Sequence, residues 1–240
     1  MSKVSVSKIV RDVEICMDEI AQNDAEFDDF QDDGERGVII VSKIRDALRF
    51  VYANADWSLL DPDEVITDTD NVTYTDNNVV LYTLPDNYLR LCYAKLNSWA
   101  RYLGQEDLIY WRDQEYSKLQ NKYATGTPDR PKVAMGWSES APTKRQLELY
   151  SAKAYTDDSK DGVRIALMYE PTDDENGDYN IGDKVYRGVI YYITGLVYTT
   201  YYEAQKAQLM FDEANDIIGF TQRAQAVAAR QQAIQAAQAQ

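Results

Sequence analysis

Oxygen ligands are plentiful in this chain and nitrogen ligands are scarce. The run Asp173-Asp174-Glu175-Asn176-Gly177-Asp178, with Asp183 beyond it, is the best candidate for holding a hard cation. A calcium loop spaces its ligands at alternate positions around a turn-forming glycine. With Gly177 at that glycine position, Asp174 and Asn176 fall on ligand positions, but Thr172 stands at the first and Asp183, not glutamate, at the last. The competing reading is an acidic β-turn at Asn176-Gly177, a dipeptide suited to tight turns. There is no histidine, which removes histidine-based triads and the commonest zinc sites. Cys16 and Cys92 each lie in an apolar pattern with no second metal-type ligand nearby, and are expected as buried reduced thiols. No phosphate loop, dinucleotide fingerprint or nucleophile elbow is present. With 40 Asp and Glu in 240 residues, carboxylate pairs at catalytic spacing arise by chance, so none marks a general acid and base. The expectation is a protein that is not an enzyme, with no catalytic residues, no metal and no cofactor.

The formal net charge of −15 argues against sequence-specific nucleic-acid binding, which needs a basic footprint. It does not argue against a conduit through which DNA passes without being held, where like charge on the wall is an advantage. Residues 24–36 concentrate this charge: seven carboxylates surround Phe27 and Phe30. Self-repulsion makes the segment a loop or exposed short element. It is read as a solvated loop, a segment for a basic partner, or a channel lining. Tyrosine is the compositional outlier, with 19 residues against 5 Phe. Its apolar ring and polar tip suit half-buried surfaces and wet interfaces. The clusters Tyr191-Tyr192 and Tyr198 through Tyr202 have two readings, stacking on single-stranded nucleic acid or packing in a core and between subunits. No stretch is long and apolar enough to span a membrane, and MSKVSVSKIVRDVEI lacks the apolar run of a signal peptide. Synthesis in a cytoplasm, with no membrane partner, is expected.

The elements that carry these residues are legible as periodicities. Val6, Ile9, Val13, Cys16 and Ile20 recur at three and four, predicting a helix over residues 4–22. Val41, Ile44, Leu48, Val51 and Tyr52 predict a second over 37–55. Val72 and Tyr74, then Val79 and Leu81, favour a hairpin across Asp76-Asn77-Asn78. Pro85 and Asp86 predict a tight turn joining two strands of one small sheet. The strand after it is apolar on both faces, the pattern of a central strand covered on each side. Leu108, Ile109, Trp111, Tyr116, Leu119 and Tyr123 suggest a helix over 105–123, stopped by Gly126 and Pro128. Strands are predicted at 132–137, 145–151 and 163–169. The longest helical signal runs over 183–218 and breaks near Thr199-Thr200 into an antiparallel pair. Gly188 and Gly195, seven apart, open one side of it to close helix approach.

The predicted fold class is therefore mainly α (α+β): a helical bundle from residues 1–57 and 181–219, with a small antiparallel β-rich subdomain and one helix inserted at 58–180. Residues 220–240 form an Ala/Gln-rich C-terminal helical tail without an acidic residue. Phe220, Val227 and Ile234 draw one thin apolar line along it, and Arg223 and Arg230 project together. Ala and Gln favour helix, yet such a helix alone is marginal in water. The tail is read either as a segment that orders against a partner or as a frayed end.

Five segments in order carry a resemblance: NVVLYTLPDNYLRLCYAKLNSWARYL at 78–103, YATGTPDRPKVAM at 123–135, RQLELYSA at 145–152, RIALMYEP at 164–171, and the helical run from Lys184. This order resembles the head–tail connector (adaptor, or ring) proteins of tailed bacteriophages, in particular portal-proximal ring proteins of short-tailed phages of the crAss-like group. The resemblance implies a structural virion protein at the head–tail junction. It implies a homo-oligomeric, dodecameric ring that binds the portal protein above and the next tail or ring protein below, around a lumen for DNA. It also implies that the C-terminal segment grips the portal, through Phe220, Arg223, Val227, Arg230 and Ile234. The chain departs from the usual pattern where RQLELYSA is followed by KAYTDDSKDG instead of a proline-bearing turn, and in the low complexity of its tail. Two other readings are a tail-completion or head-decoration protein and, least favoured, a carboxylate-based hydrolase, which needs two close carboxylates in a deep pocket.

Overall fold

The computed structural model describes residues 2–21, 33–67, 72–75, 77–119, 121, 123–138, 143–152 and 160–221. Among these, five helices and ten strands in three sheets make an α+β fold. This corrects the expectation of a mainly α protein. Strands account for stretches read as helix or loop, and even the helical part of the chain holds a two-stranded sheet. The expected C-terminal helical tail lies, from residue 222, outside the described residues. The chain divides into two compact units, one from residues 1–61 and 171–240, the other from 62–170.

The first unit contains β1 (Ser2–Val4), α1 (Val6–Ala21), α2 (Asp33–Asn54), β10 (Tyr179–Ile181), α4 (Asp183–Thr200) and α5 (Ala204–Ile217). Ile9 and Val13 of α1, Ile44, Leu48 and Val51 of α2, and Val189, Ile193 and Val197 of α4 have no exposed surface. Burying that area is the main favourable term holding the helices together. The predicted stripe on α2 is buried at Ile44, Leu48, Val51 and Tyr52, and differs only at its start, where Ile40 is in the core and Val41 is 46% exposed. Both are β-branched neighbours, so periodicity alone does not choose between them. The unit's two chain segments are tied together by β1 pairing antiparallel with β10. The Tyr52 hydroxyl donates to the Asn180 carbonyl at 2.6 Å, and Asp56 N donates to the Ile218 carbonyl at 2.8 Å. Helix α4 ends at Thr200, beside the predicted break, and Tyr202 in the following turn has φ +62°.

In the second unit, β2 (Glu64–Ile66), β9 (Val163–Tyr169) and β5 (Tyr88–Leu96) form an antiparallel sheet with β9 in the centre. The order β3 (Thr73–Tyr74), β4 (Val80–Thr83), β8 (Arg145–Leu149), β7 (Val133–Trp137), β6 (Leu108–Tyr110) makes a five-stranded sheet. One core lies between them: Val80, Leu147, Leu149, Val133 and Met135 from the larger sheet meet Leu91, Leu96, Ile165 and Leu167 from the smaller. Two sheets sharing one core is sandwich packing. The hydroxyl-free alternation Leu147, Leu149 and Val163, Ile165, Leu167 places these residues on the inner faces.

Three predictions about this unit need correction. The segment 105–123 is not one helix. Residues 105–107 are a 3-10 turn, β6 pairs parallel with β7, and only α3 (Gln114–Leu119) is α-helical. Pairing with a strand far along the chain outweighs the local helical spacing, and Leu-Ile-Tyr at 108–110 suits a strand. Second, β5 is apolar on both faces but lies at a sheet edge, where Ala94 also bridges to Leu103. Burial on two faces does not require a hydrogen-bonded neighbour on both sides. Third, the Leu84-Pro85-Asp86 turn, closed by Tyr88 N donating to the Pro85 carbonyl at 3.1 Å, carries the chain from one sheet to the other.

Candidate interaction surfaces

In the helical unit an open groove of about 320 Å³ runs along α1 and α4, lined by Asp12, Ile15, Cys16, Tyr186, Ile190 and Tyr191 among others. Its apolar floor includes Ile15, 46% exposed. The Tyr186 hydroxyl donates to Asp12 Oδ2 at 2.6 Å, and the Lys8 ammonium lies 5.1 Å from the Tyr186 ring centre. Burial first, and then the Asp12 carboxylate, push the Tyr186 pKa up, so its hydroxyl is a donor throughout the physiological range. Arg187 donates to the Tyr191 hydroxyl at 2.8 Å. The groove is an amphipathic surface with its polar groups already turned toward each other.

The tyrosine clusters divide by position. Tyr198 is fully buried and donates to the Met17 carbonyl at 3.3 Å, whereas Tyr202 is 94% exposed. Tyr192 stacks on Phe50 with centroids 4.1 Å apart and leans on Phe211 at 5.0 Å. Phe220 continues this line, 6.3 Å from Phe50. Of the five residues expected to dock on the portal, Phe220 thus sits in an aromatic row joining α2, α4 and α5. Arg223, Val227, Arg230 and Ile234 lie outside the described residues.

In the β unit, the outer face of the five-stranded sheet forms a concavity of about 580 Å³ lined by Thr73, Thr75, Thr83, Trp137, Gln146 and Glu148, among others. Its floor is a buried carboxylate. Glu148 Oε1 accepts from the Tyr116 hydroxyl at 2.7 Å, and Oε2 from the Tyr150 hydroxyl at 2.6 Å. Burial, reinforced by the Glu148 carboxylate, raises the Tyr150 pKa, so that proton stays on the phenol. Gly136 makes room for this arrangement: a Cβ there would collide with Glu148 and the Tyr116 hydroxyl. Sequence reading missed this group, although one signal was present. In β8, Gln146 and Glu148 alternate with Leu147 and Leu149, which puts polar groups on a face that α3 then covers. Among the described residues lining the concavity Glu148 is the one carboxylate, and both of its oxygens accept from tyrosines.

The acidic run at 173–178 adopts a turn. Gly177, with φ +78°, donates to the Asp174 carbonyl at 2.9 Å. Asp174 Oδ1 accepts from Asn176 N and Asp178 N at 2.9 and 3.0 Å, and its Oδ2 pairs with Lys3 at 2.7 Å. The Lys3 hydrogen bond, followed by the backbone donors, lowers the Asp174 pKa to about 2. Its oxygens serve the turn and the chain terminus. Among the described residues no group of three acidic or cysteine ligands is placed to hold a metal ion. Both cysteines are buried, and burial pushes the Cys92 thiol up to about 11, so it is a weak nucleophile. Burial also lifts Asp63 to about 6, where its carboxylate accepts from Tyr169 N at 2.8 Å beside β9. No helix among the described residues is long and apolar enough to cross a membrane. No family model matches the chain, and no curated protein is significantly similar to it.

Proposed function

We propose that this chain is a structural subunit of a phage virion, forming a ring at the head–tail connector that joins the portal to the tail and leaves a path for DNA. The observation that carries the reading is the order of the five sequence segments from Asn78 to the helical run at Lys184, which resembles that of connector proteins. The surface agrees with an assembly role. Val38 of α2 is 71% exposed and Tyr123 of the β unit 85%, and Trp57, Trp111 and Trp137 are each near half exposed. Large apolar and aromatic side chains left in water are the raw material of subunit interfaces. The mechanism is assembly: contacts made only in the ring and with the portal stabilise each subunit by mass action. The proposed ring is dodecameric, made in the host cytoplasm, with no catalysis.

The experiment that tests the portal contact is truncation. Deleting residues 221–240 leaves Phe220 in place, and the remaining chain is expected to fold with an unchanged melting temperature. Its co-sedimentation with the portal protein is expected to weaken relative to the full chain at the same salt. Undiminished co-sedimentation overturns the docking role of the tail.

A further inference from the structure

At one end of the outer face of the three-stranded sheet, two cations and two tyrosines stand together. Lys95 and Arg164 are directly opposite each other across β5 and β9. Opposed residues of an antiparallel pair share a face, and like charges there are destabilising. Tyr102 is wedged between them. The Lys95 ammonium lies 4.7 Å from its ring centre, and Arg164 donates to its hydroxyl at 3.4 Å. Tyr93 meets the same ring edge-on, with centroids 5.2 Å apart. The next row of the face runs from Tyr93 through Ala166 to Val65. Tyr102 is 43% exposed and Val65 42%. Among the described residues no carboxylate forms an ion pair with Lys95 or Arg164. In a chain of net charge −15, two adjacent cations with no carboxylate paired to them among the described residues, beside exposed aromatic and aliphatic surface, form a complementary face for something acidic and aromatic.

The chain itself supplies such a segment. Residues 24–36 carry seven carboxylates with Phe27 and Phe30 among them, the last two, Asp33 and Glu35, at the start of α2. We infer that this end of the sheet is a subunit–subunit contact whose occupant is the acidic run 24–36 of a second copy of the chain. Its carboxylates neutralise Lys95 and Arg164, and its phenylalanines cover Tyr93, Tyr102 and Val65. The inference rests on the proposed role as a ring subunit, in which each copy offers one surface to each neighbour. Complementary charge of this kind selects the partner and its register more than it adds affinity. Duplex DNA fits less well, because the remaining charge of the chain repels phosphates.

The test uses a fluorescent peptide of residues 22–36 titrated into full-length chain whose own Asp and Glu between 24 and 35 are replaced by Asn and Gln, so that no internal segment competes. Saturable binding that weakens with salt is expected. It should fall about tenfold or more in Lys95→Glu/Arg164→Glu, the scale set by losing two charged contacts. Lys95→Gln/Arg164→Gln, which carries no reversed charge, is expected between the two and guards against a folding defect. No binding, or binding equal in all three proteins, overturns the contact. A short duplex DNA that binds in a Lys95- and Arg164-dependent manner overturns it in favour of nucleic acid. Peptide binding needs no portal. A ring on the portal without peptide binding removes this contact and leaves the connector reading. Peptide binding without a ring removes the connector reading and leaves a self-association surface.

Discussion

Replacing Gly195 with alanine is expected to destabilise the helical unit by about 1–3 kcal/mol, the usual cost of forcing a methyl group into a packed contact. Alanine is the better helix former, so on an open helix surface the same change would stabilise by up to about 1 kcal/mol. The contact decides the sign. A Cβ at position 195 would stand 2.6 and 2.7 Å from two ring carbons of Phe211 on α5. Phe211 cannot swing aside freely, because its ring packs against Tyr192, which is stacked in turn on Phe50. At Gly188, on the same side of α4, an added Cβ would stand 2.7 Å from Ile218 Cγ2, so the two glycines together set how close the helices lie. Urea unfolding of Gly195→Ala should show a lower midpoint, and Phe211→Leu in the same chain should recover part of the loss by giving the methyl group space. A Gly195→Ala protein as stable as the parent would mean that α4 and α5 do not pack through this side.

Glu148→Leu is expected to cost about 1–3 kcal/mol in the β unit even though it replaces a buried charge with an apolar residue. The reason is what the carboxylate leaves behind: the Tyr150 hydroxyl, donating to Oε2 at 2.6 Å in a buried setting, loses its acceptor. Removing donor and acceptor together is cheaper than removing one. Tyr150→Phe added to Glu148→Leu should therefore be less destabilising than the sum of the two single changes, by an amount that a double-mutant cycle reads directly. Strict additivity would show that the Tyr150–Glu148 hydrogen bond carries no energy. The cluster also explains why β7 has glycine at 136: with Glu148 beside it on β8 and the Tyr116 hydroxyl above, a side chain has no room.

Local periodicity made much of the chain legible. Strands β8 and β9 announce themselves by alternation and α4 by its stripe and its two glycines, and α4 ends at Thr200, where the break was expected near Thr199-Thr200. What was not legible depends on partners distant in sequence. Parallel pairing with Val133–Met135 turns Leu108–Tyr110 from the start of a helix into a strand. The pairing of Ser2–Val4 with Tyr179–Ile181 adds a small sheet to a segment that reads only as a helix entry. These non-local pairings convert the expected mainly α protein into an α+β one. The burial of Glu148 was hidden for a related reason. A glutamate on a polar-alternating strand reads as solvent-facing until α3 brings Tyr116 over it. The clustering of Lys95, Arg164 and Tyr102 depends on the β5–β9 register, which no single segment encodes. Of the portal-docking line, Phe220 alone lies within the described residues, and its aromatic neighbour Phe50 comes from the other end of the chain.

The proposed connector role is tested most directly by mixing the chain with the portal protein encoded in the same genome and imaging the particles by electron cryo-microscopy. The expected particle is a closed ring of this chain seated on one face of the portal, matching its symmetry, with a continuous open channel along the axis. Portal particles free of the chain under conditions where both proteins are folded, or the chain bound without closing a ring, would contradict it.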